Sequence, residues 1–416
     1  MTGAAAPASR RRWLVMALLF LGILISYMDR GNLAIAAPAL MKEFDISPAR
    51  MGILLSAFFW TYAAAQIPAG FVVDRWGIAY TYGVGLLVWS LASAAVGFAT
   101  SFWQIAVLRL ILGLGEAIAP VASIAYIKRN FGEDEQGLPT AIYIGGALVG
   151  PGIGAMIGGA LVDPLGWRLL FIVIGLLGCL WVIPWLFVAP RQTAPLPASA
   201  EWPAVRVPWG GLLRSPVFWG VTLGAFFYSY YWYFIMSWVP TYLVTVRGFS
   251  NTKMGLILGL PLAGTAVTSL AAGAVADWTI RRTGKPPLFV RKCFVAFGFL
   301  LGSTIVGLTA VESGSLILPL FAVSMCGMGF GVSNYWALTH LISPERLIGR
   351  VLGYQNTIAQ LAGVAAPILT GWLVGDQNRF APAIIIAGLS PLVAAAVLLG
   401  WLRTRFLDRF RRSLLL

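Results

Sequence analysis

Four ionisable side chains stand in runs that are otherwise apolar. Asp29 and Arg30 adjoin each other between Trp13 and Pro38, and Arg109 and Glu116 stand seven residues apart further on. Seven residues of α-helix make about two turns, ~10.5 Å, so Arg109 and Glu116 share nearly one face. At the centre of a bilayer each such charge costs several kcal/mol unless it is paired or faces water. Two cations and two anions sum to zero. Guanidinium groups grip carboxylates bidentately and stay charged, while carboxyls shielded from water can exchange protons near neutral pH. The chemistry on offer is capture of a carboxylate and coupled proton exchange. A static ion-pair network would explain the charges alone. It would not call for the phenols of Tyr27 and Tyr62 close by.

The elements that carry these residues follow from composition. The 416-residue chain is 59% hydrophobic and only 11% charged, where a soluble protein has about 25% charged residues. Apolar stretches of ~20 residues recur along it, each long enough to cross the hydrocarbon as a helix, and backbone groups in lipid must bond within their own segment. The pattern predicts an all-α membrane protein with twelve transmembrane helices. They fall at about 13–38, 51–73, 80–99, 102–128, 138–162, 167–189, 215–246, 252–279, 291–311, 314–341, 350–374 and 380–402.

A net charge of +14 in a soluble protein would suggest nucleic acid. Here its placement decides otherwise. With the N-terminus inside, 21 of the 29 Lys and Arg fall in cytoplasmic segments and six outside, as the positive-inside rule expects. The charge is topological, no nucleic-acid partner is expected, and both termini are placed in the cytoplasm of a cell with a bacterial-type inner membrane. Arg10–Arg12 and the run after them read as a retained first helix, since the run exceeds a signal-peptide core. Cys179, Cys293 and Cys326 are scattered without metal-ligand spacing. No metal motif, phosphate loop or nucleophile elbow appears, so neither a cofactor nor an enzyme activity is expected.

Residues 190–214 are rich in proline and poor in apolar periodicity, which reads as a cytoplasmic linker. It divides an N-terminal six-helix bundle, 1–189, from a C-terminal one, 215–416, that ends in a short basic tail. Gly70-Phe-Val-Val-Asp74-Arg75-Trp-Gly77 closes the second span, and Gly273-Ala-Val-Ala-Asp277 closes the eighth, followed by Arg281-Arg282-Thr-Gly284. The first string resembles the signature loop of the major facilitator superfamily, and the second is its repeat. The resemblance implies two pseudo-symmetric six-helix bundles, a substrate site near the midplane between them, and a latching role for Asp74, Arg75, Asp277 and Arg281. Ile78-Ala79 replace that loop's usual basic pair, so the first copy is expected to latch weakly.

Ser26-Tyr27-Met-Asp29-Arg30-Gly-Asn32, continuing to Pro38, is the most specific string in the chain. It resembles the first helix of the anion:cation symporters, which include bacterial galactonate, hexuronate, glucarate and phthalate carriers. Arg109-x₆-Glu116 matches that family's fourth helix. The resemblance implies proton-coupled import of a small organic anion by a monomer. Arg30 and Arg109 would hold the carboxylate beside Tyr27 and Tyr62, and Asp29 and Glu116 would take up protons. Ser333, Tyr335, Trp336 and Asn356 match substrate-side positions in the second half. Glycines at 137, 146, 150 and 154 resemble an antiporter signature and leave drug or metabolite efflux as the alternative. A membrane enzyme is the remote one.

The seventh span is aromatic from Phe226 to Phe234, where sugar-acid carriers tend to offer amides. Packing or an interfacial belt explains most of this, and part could favour an aromatic acid. His340 falls at a helix end, and the tail Arg403–Arg412 suits anchoring to anionic lipids. The charge placement makes the linker cytoplasmic, so a cysteine introduced at Ser199 is expected to resist a membrane-impermeant maleimide applied from the periplasmic side. Efficient labelling would invert the topology.

Overall fold

The computed structural model describes residues 6–132, 134–189, 213–342 and 348–402, without the side chains at 6–9 and 348–351. Most of the linker, with Arg191, Ser199 and Arg206, and likewise Arg346 and the tail from Arg403, lie outside the described residues. Within them every regular element is helical. The elements are α1 (Ala6–Glu43), α2 (Pro48–Trp76), α3 (Ile78–Val96), α4 (Phe102–Glu116), α5 (Ile118–Asn130), α6 (Gly137–Val188), α7 (Pro216–Thr245), α8 (Asn251–Thr283), α9 (Pro287–Gly302), a 3₁₀ segment (Ser303–Thr309), α10 (Gly314–Ile342), α11 (Ile348–Val374) and α12 (Ala381–Trp401).

Ten stretches among the described residues are long and apolar enough to cross a membrane. The outward faces carry bare apolar side chains: Phe187 is 81% exposed and Trp372 75%. Such surfaces are stable in hydrocarbon and are not tolerated at this extent in water. The chain is a multi-pass membrane protein.

Local chemistry explains where the helices stop. Ser47 caps α2, accepting from the Arg50 N–H at 3.4 Å, with Pro48 at the first helical position. Gly77 ends α2 at φ 79°, and its N–H returns to the Val73 carbonyl at 2.9 Å. This is the backbone region that favours glycine, and it explains the glycine that closes the Asp74-Arg75 loop. The 52 residues of α6 comprise two arms joined at Gly166, φ 76°, two residues after Pro164. The expected fifth and sixth spans are these two arms. The expected fourth span is one stretch, Phe102–Asn130, interrupted at Ala117 between α4 and α5, because Pro120 has no N–H to give the Glu116 carbonyl one turn back.

Contacts group the chain into two compact units. One comprises Met1–Glu201 with Leu243–Gly259, the other Trp202–Tyr242 with Leu260–Leu416. In the first, a line of glycines on α6 lies against α1. A Cβ built on Gly146 would meet Ile23 at 2.6 Å, one on Gly150 the Tyr27 Cβ at 2.8 Å, and one on Gly154 the Met28 Cα at 3.0 Å. Removing the side chains lets the two backbones approach closely. In the same unit the Asp163 carboxylate accepts from the N–H groups and side chains of Asn251 and Thr252 at 2.7–3.2 Å, so it caps the otherwise unpaired start of α8. In the second unit, Tyr335 donates to the Val221 carbonyl, and the Trp238 indole donates to the Pro367 carbonyl at 2.9 Å.

The glycine line separates sterics from propensity. Gly→Ala favours a helix by about 1 kcal/mol in itself, and a Cβ at Gly145 meets nothing within 4 Å. Gly145→Ala is therefore expected to hold or raise the melting temperature of the purified protein, and Gly150→Ala to lower it. Equal shifts for the two would refute the close approach.

Candidate functional site

The charged cluster assembles inside the first unit from α1, α2, α3 and α4. Asp29 and Glu116 are fully buried and Arg109 is 2% exposed. Arg30 donates its Nε–H to Glu116 Oε2 at 2.7 Å, and the Ser26 hydroxyl donates to the same oxygen at 2.7 Å. Around the guanidinium stand three rings, with centroids 4.7 Å away for Tyr27, 4.8 Å for Phe58 and 4.5 Å for Tyr62. Phe58 and Tyr62 lie one turn apart on α2 and stack at 5.0 Å. A cation among aromatic faces is stabilised by ring quadrupoles, and more so away from water. With Nε committed to Glu116, the two Nη groups make the forked end of Arg30, and the Tyr62 hydroxyl is a hydrogen-bond partner of the guanidinium.

Arg109 is used differently. Its Nη1 donates to the Asp29 carbonyl at 3.1 Å and its Nη2 to the Arg30 carbonyl at 3.4 Å. It grips the α1 backbone at the residues that carry the other charges, so in this conformation it positions Arg30 and presents no open fork. Arg109 and Glu116 share a helix face as expected, and the ion pair of Glu116 is with Arg30 across the α1–α4 interface. The Ser93 hydroxyl on α3 donates to Asp29 Oδ1 at 2.5 Å. Asp29 Oδ2, Glu116 Oε1 and both polar atoms of Asn32 have no hydrogen-bond partner, which leaves acceptor capacity at both carboxyls.

The second-half candidates lie in the other unit. Tyr335 is fully buried, and its hydroxyl is engaged by the Val221 carbonyl and by Gln355 Nε2, the latter at 3.1 Å. It braces α7 against α10 and α11. Trp336 is half-buried and packs edge-on to Tyr228 and Tyr335. Asn356 is half-buried, and the Ser333 hydroxyl is buried without a partner.

The two loop aspartates do not pair with their sequence neighbours. Asp74 accepts from Arg129 at 3.2 Å, with Arg75 exposed. Asp277 accepts from Arg291 at 2.5 Å, with Arg281 exposed, and Arg291 also donates to Asn334 at 3.1 Å. Sequence reasoning missed Arg129 and Arg291, and also Ser93 and Phe58. A polar residue in an apolar span was the available signal for Ser93. None pointed to Phe58 beyond its spacing of four from Tyr62.

Membrane-length helices enclosing a cluster of two buried carboxyls and two arginines fit a polytopic membrane carrier. The Major Facilitator Superfamily model matches residues 19–367, and the chain belongs to that superfamily, among its organic-acid transporters. It is 31% identical to a D-galactonate transporter of Escherichia coli O6:H1 over 94% of this chain and 95% of that one. It is 29% identical to a hexuronate transporter of Bacillus subtilis over 94% of each chain. The fold is that of a bacterial homologue of the human lysosomal transporter Spinster, in an inward-facing, unoccupied conformation. That match has a TM-score of 0.77 at 18% identity and covers 99% of this chain and 98% of that one. The protein is a membrane transporter and not an enzyme.

The bracing role of Arg109 predicts a stability effect in the absence of any solute. Arg109→Met removes both donors from carbonyls buried in the bundle, each worth about 1–3 kcal/mol. The apo melting temperature is expected to fall. An unchanged value would mean that Arg109 does not hold α1.

Proposed function

We propose that the protein is a proton-coupled symporter that imports a small organic anion, a sugar acid or an aromatic carboxylate, by alternating access. The supporting observation is the Arg30 geometry: one N–H locked on Glu116, the plane caged by Tyr27, Phe58 and Tyr62, and a forked end left for a carboxylate. The names of the relatives, transporters of galactonate and hexuronate, agree with that chemistry. The twelve-crossing topology with both termini cytoplasmic goes with it. The two arms of α6 and the 30-residue α7, whose aromatic and hydroxyl side chains lower its hydropathy, supply the crossings beyond those counted by apolarity alone. Two six-helix bundles, 1–189 and 215–416, joined by 190–214, complete the arrangement, in the inner membrane and as a monomer.

Proton coupling follows from charge. The empty cluster is neutral, and adding a carboxylate alone would leave −1 in a water-poor site, which is unfavourable. A proton on Glu116 restores neutrality and frees Arg30 Nε from its ion pair. Asp29, tied to Ser93, is the second acceptor. Binding and proton uptake are therefore linked, and lower pH tightens binding. Asp74–Arg129 and Asp277–Arg291 serve as latches that tie helix ends together. Of the glycines that resemble an antiporter signature, Gly146, Gly150 and Gly154 are accounted for by the α1–α6 contact, and Gly137 is not.

Reconstituted protein and D-galactonate test the reading. Arg30→Lys, which loses the planar fork, is expected to weaken binding by at least about tenfold, corresponding to ~1.4 kcal/mol. Wild-type affinity in Arg30→Ala would remove the anion site. Glu116→Gln, a fixed mimic of the protonated acid, is expected to retain counterflow yet not concentrate solute under an inward proton gradient. Accumulation driven only by an outward gradient would replace symport with efflux antiport.

A further inference from the structure

Glu116 Oε1 has no partner inside the bundle, and it is not alone. The hydroxyls of Tyr82 on α3 and Tyr143 on α6 are also buried, with no hydrogen bond of regular geometry, at 0% and 7% residue exposure. Both phenols face the Ser123 hydroxyl of α5, and Tyr82 is near enough to Glu116 to feel its charge. The Tyr82 hydroxyl points at α1, where a Cβ built on Gly22 would meet it at 2.5 Å. Gly22 lies one turn before Ser26, whose hydroxyl bonds Glu116. Ser123 lies seven residues beyond Glu116, about two turns or ~10.5 Å. One turn further the Tyr126 hydroxyl donates to the Arg12 carbonyl at 3.4 Å, beside the exposed Arg12–Glu135 ion pair.

Packing accounts for the Tyr82 ring and not for its hydroxyl. The ring packs at a tilt of 37° against both Trp181 and Trp185, centroids 5.4 and 5.2 Å away, and a phenylalanine would fill the same space. A buried hydroxyl left unpaired is destabilising. Two of them beside a serine and an unpaired carboxyl oxygen make a polar file of the kind that holds ordered water.

We propose that Tyr82, Ser123 and Tyr143, bridged by water, form a relay that carries protons between Glu116 and the Arg12–Tyr126 end of the bundle. The inference rests on the proton-coupled reading and adds the route. Each transfer is a shift of one proton along neighbouring hydroxyls and waters, with no net change at any phenol. The groups facing Glu116 are Ser26, Tyr27, Asp29 and Arg30 from α1, Tyr82 from α3 and Arg109 from its own helix. Tyr82 leads from Glu116 toward Ser123, and Tyr27 lies beside Tyr143.

The test needs no transported solute. Full-length protein is oriented in proteoliposomes with the Arg12 end outward and acidified rapidly from that side. Protonation of Glu116 is followed by its carboxylic C=O infrared band, assigned by its loss in Glu116→Gln. In Tyr82→Phe and Tyr143→Phe the band is expected to rise roughly tenfold more slowly, to the same final amplitude. The melting temperature should be unchanged or higher. Ser123→Ala should slow the rise as well, and acidification from the opposite side should proceed at the wild-type rate in all three. Wild-type rates from the Arg12 side in the three variants would overturn the relay and leave the coupling reading intact. Absence of a titrating Glu116 band in the wild type would overturn both.

Discussion

A carboxylate cannot sit unpaired in the apolar interior of a helical bundle, and Glu116 is fully buried. The ion pair with Arg30, at 2.7 Å, resolves that cost. Much of the first unit can be read as what this pair requires. Arg30 must approach α4 from α1, so α1 is held by Arg109 through two of its own backbone carbonyls. The guanidinium must lose water without losing stabilisation, so Tyr27, Phe58 and Tyr62 surround it. α1 must lie deep in the bundle, so α6 presents glycines where side chains would push it out. Even the helix break at Ala117 belongs to this set, since Pro120 leaves the Glu116 turn without its regular backbone bond.

The division of labour between the two arginines is the main consequence for function. Equal roles would suit a site that grips a carboxylate from both sides. Instead one arginine is spent on geometry and the other keeps its forked end. The loop aspartates show a similar economy, because each pairs with an arginine on a different helix and so ties helix ends together.

Much of this was present in the linear order of residues. The apolar runs and the placement of Lys and Arg determine a multi-pass helical protein, because backbone in lipid must bond internally and charge must stay out of it. Asp29, Arg30, Arg109 and Glu116 stand out by the same cost, and their positions single out α1 and α4. Tertiary structure decided the partnerships. Helix periodicity puts Glu116 on the face of Arg109 but two turns away, and its ion-pair partner is what lies across the packing interface, Arg30. Phe58 and Ser93 have no signature of their own, since an aromatic or a hydroxyl in an apolar span becomes part of a site only when another helix delivers a charge to it. For the same reason Tyr335 could be picked out by type, while its burial against Val221 and Gln355 depended on how three helices pack.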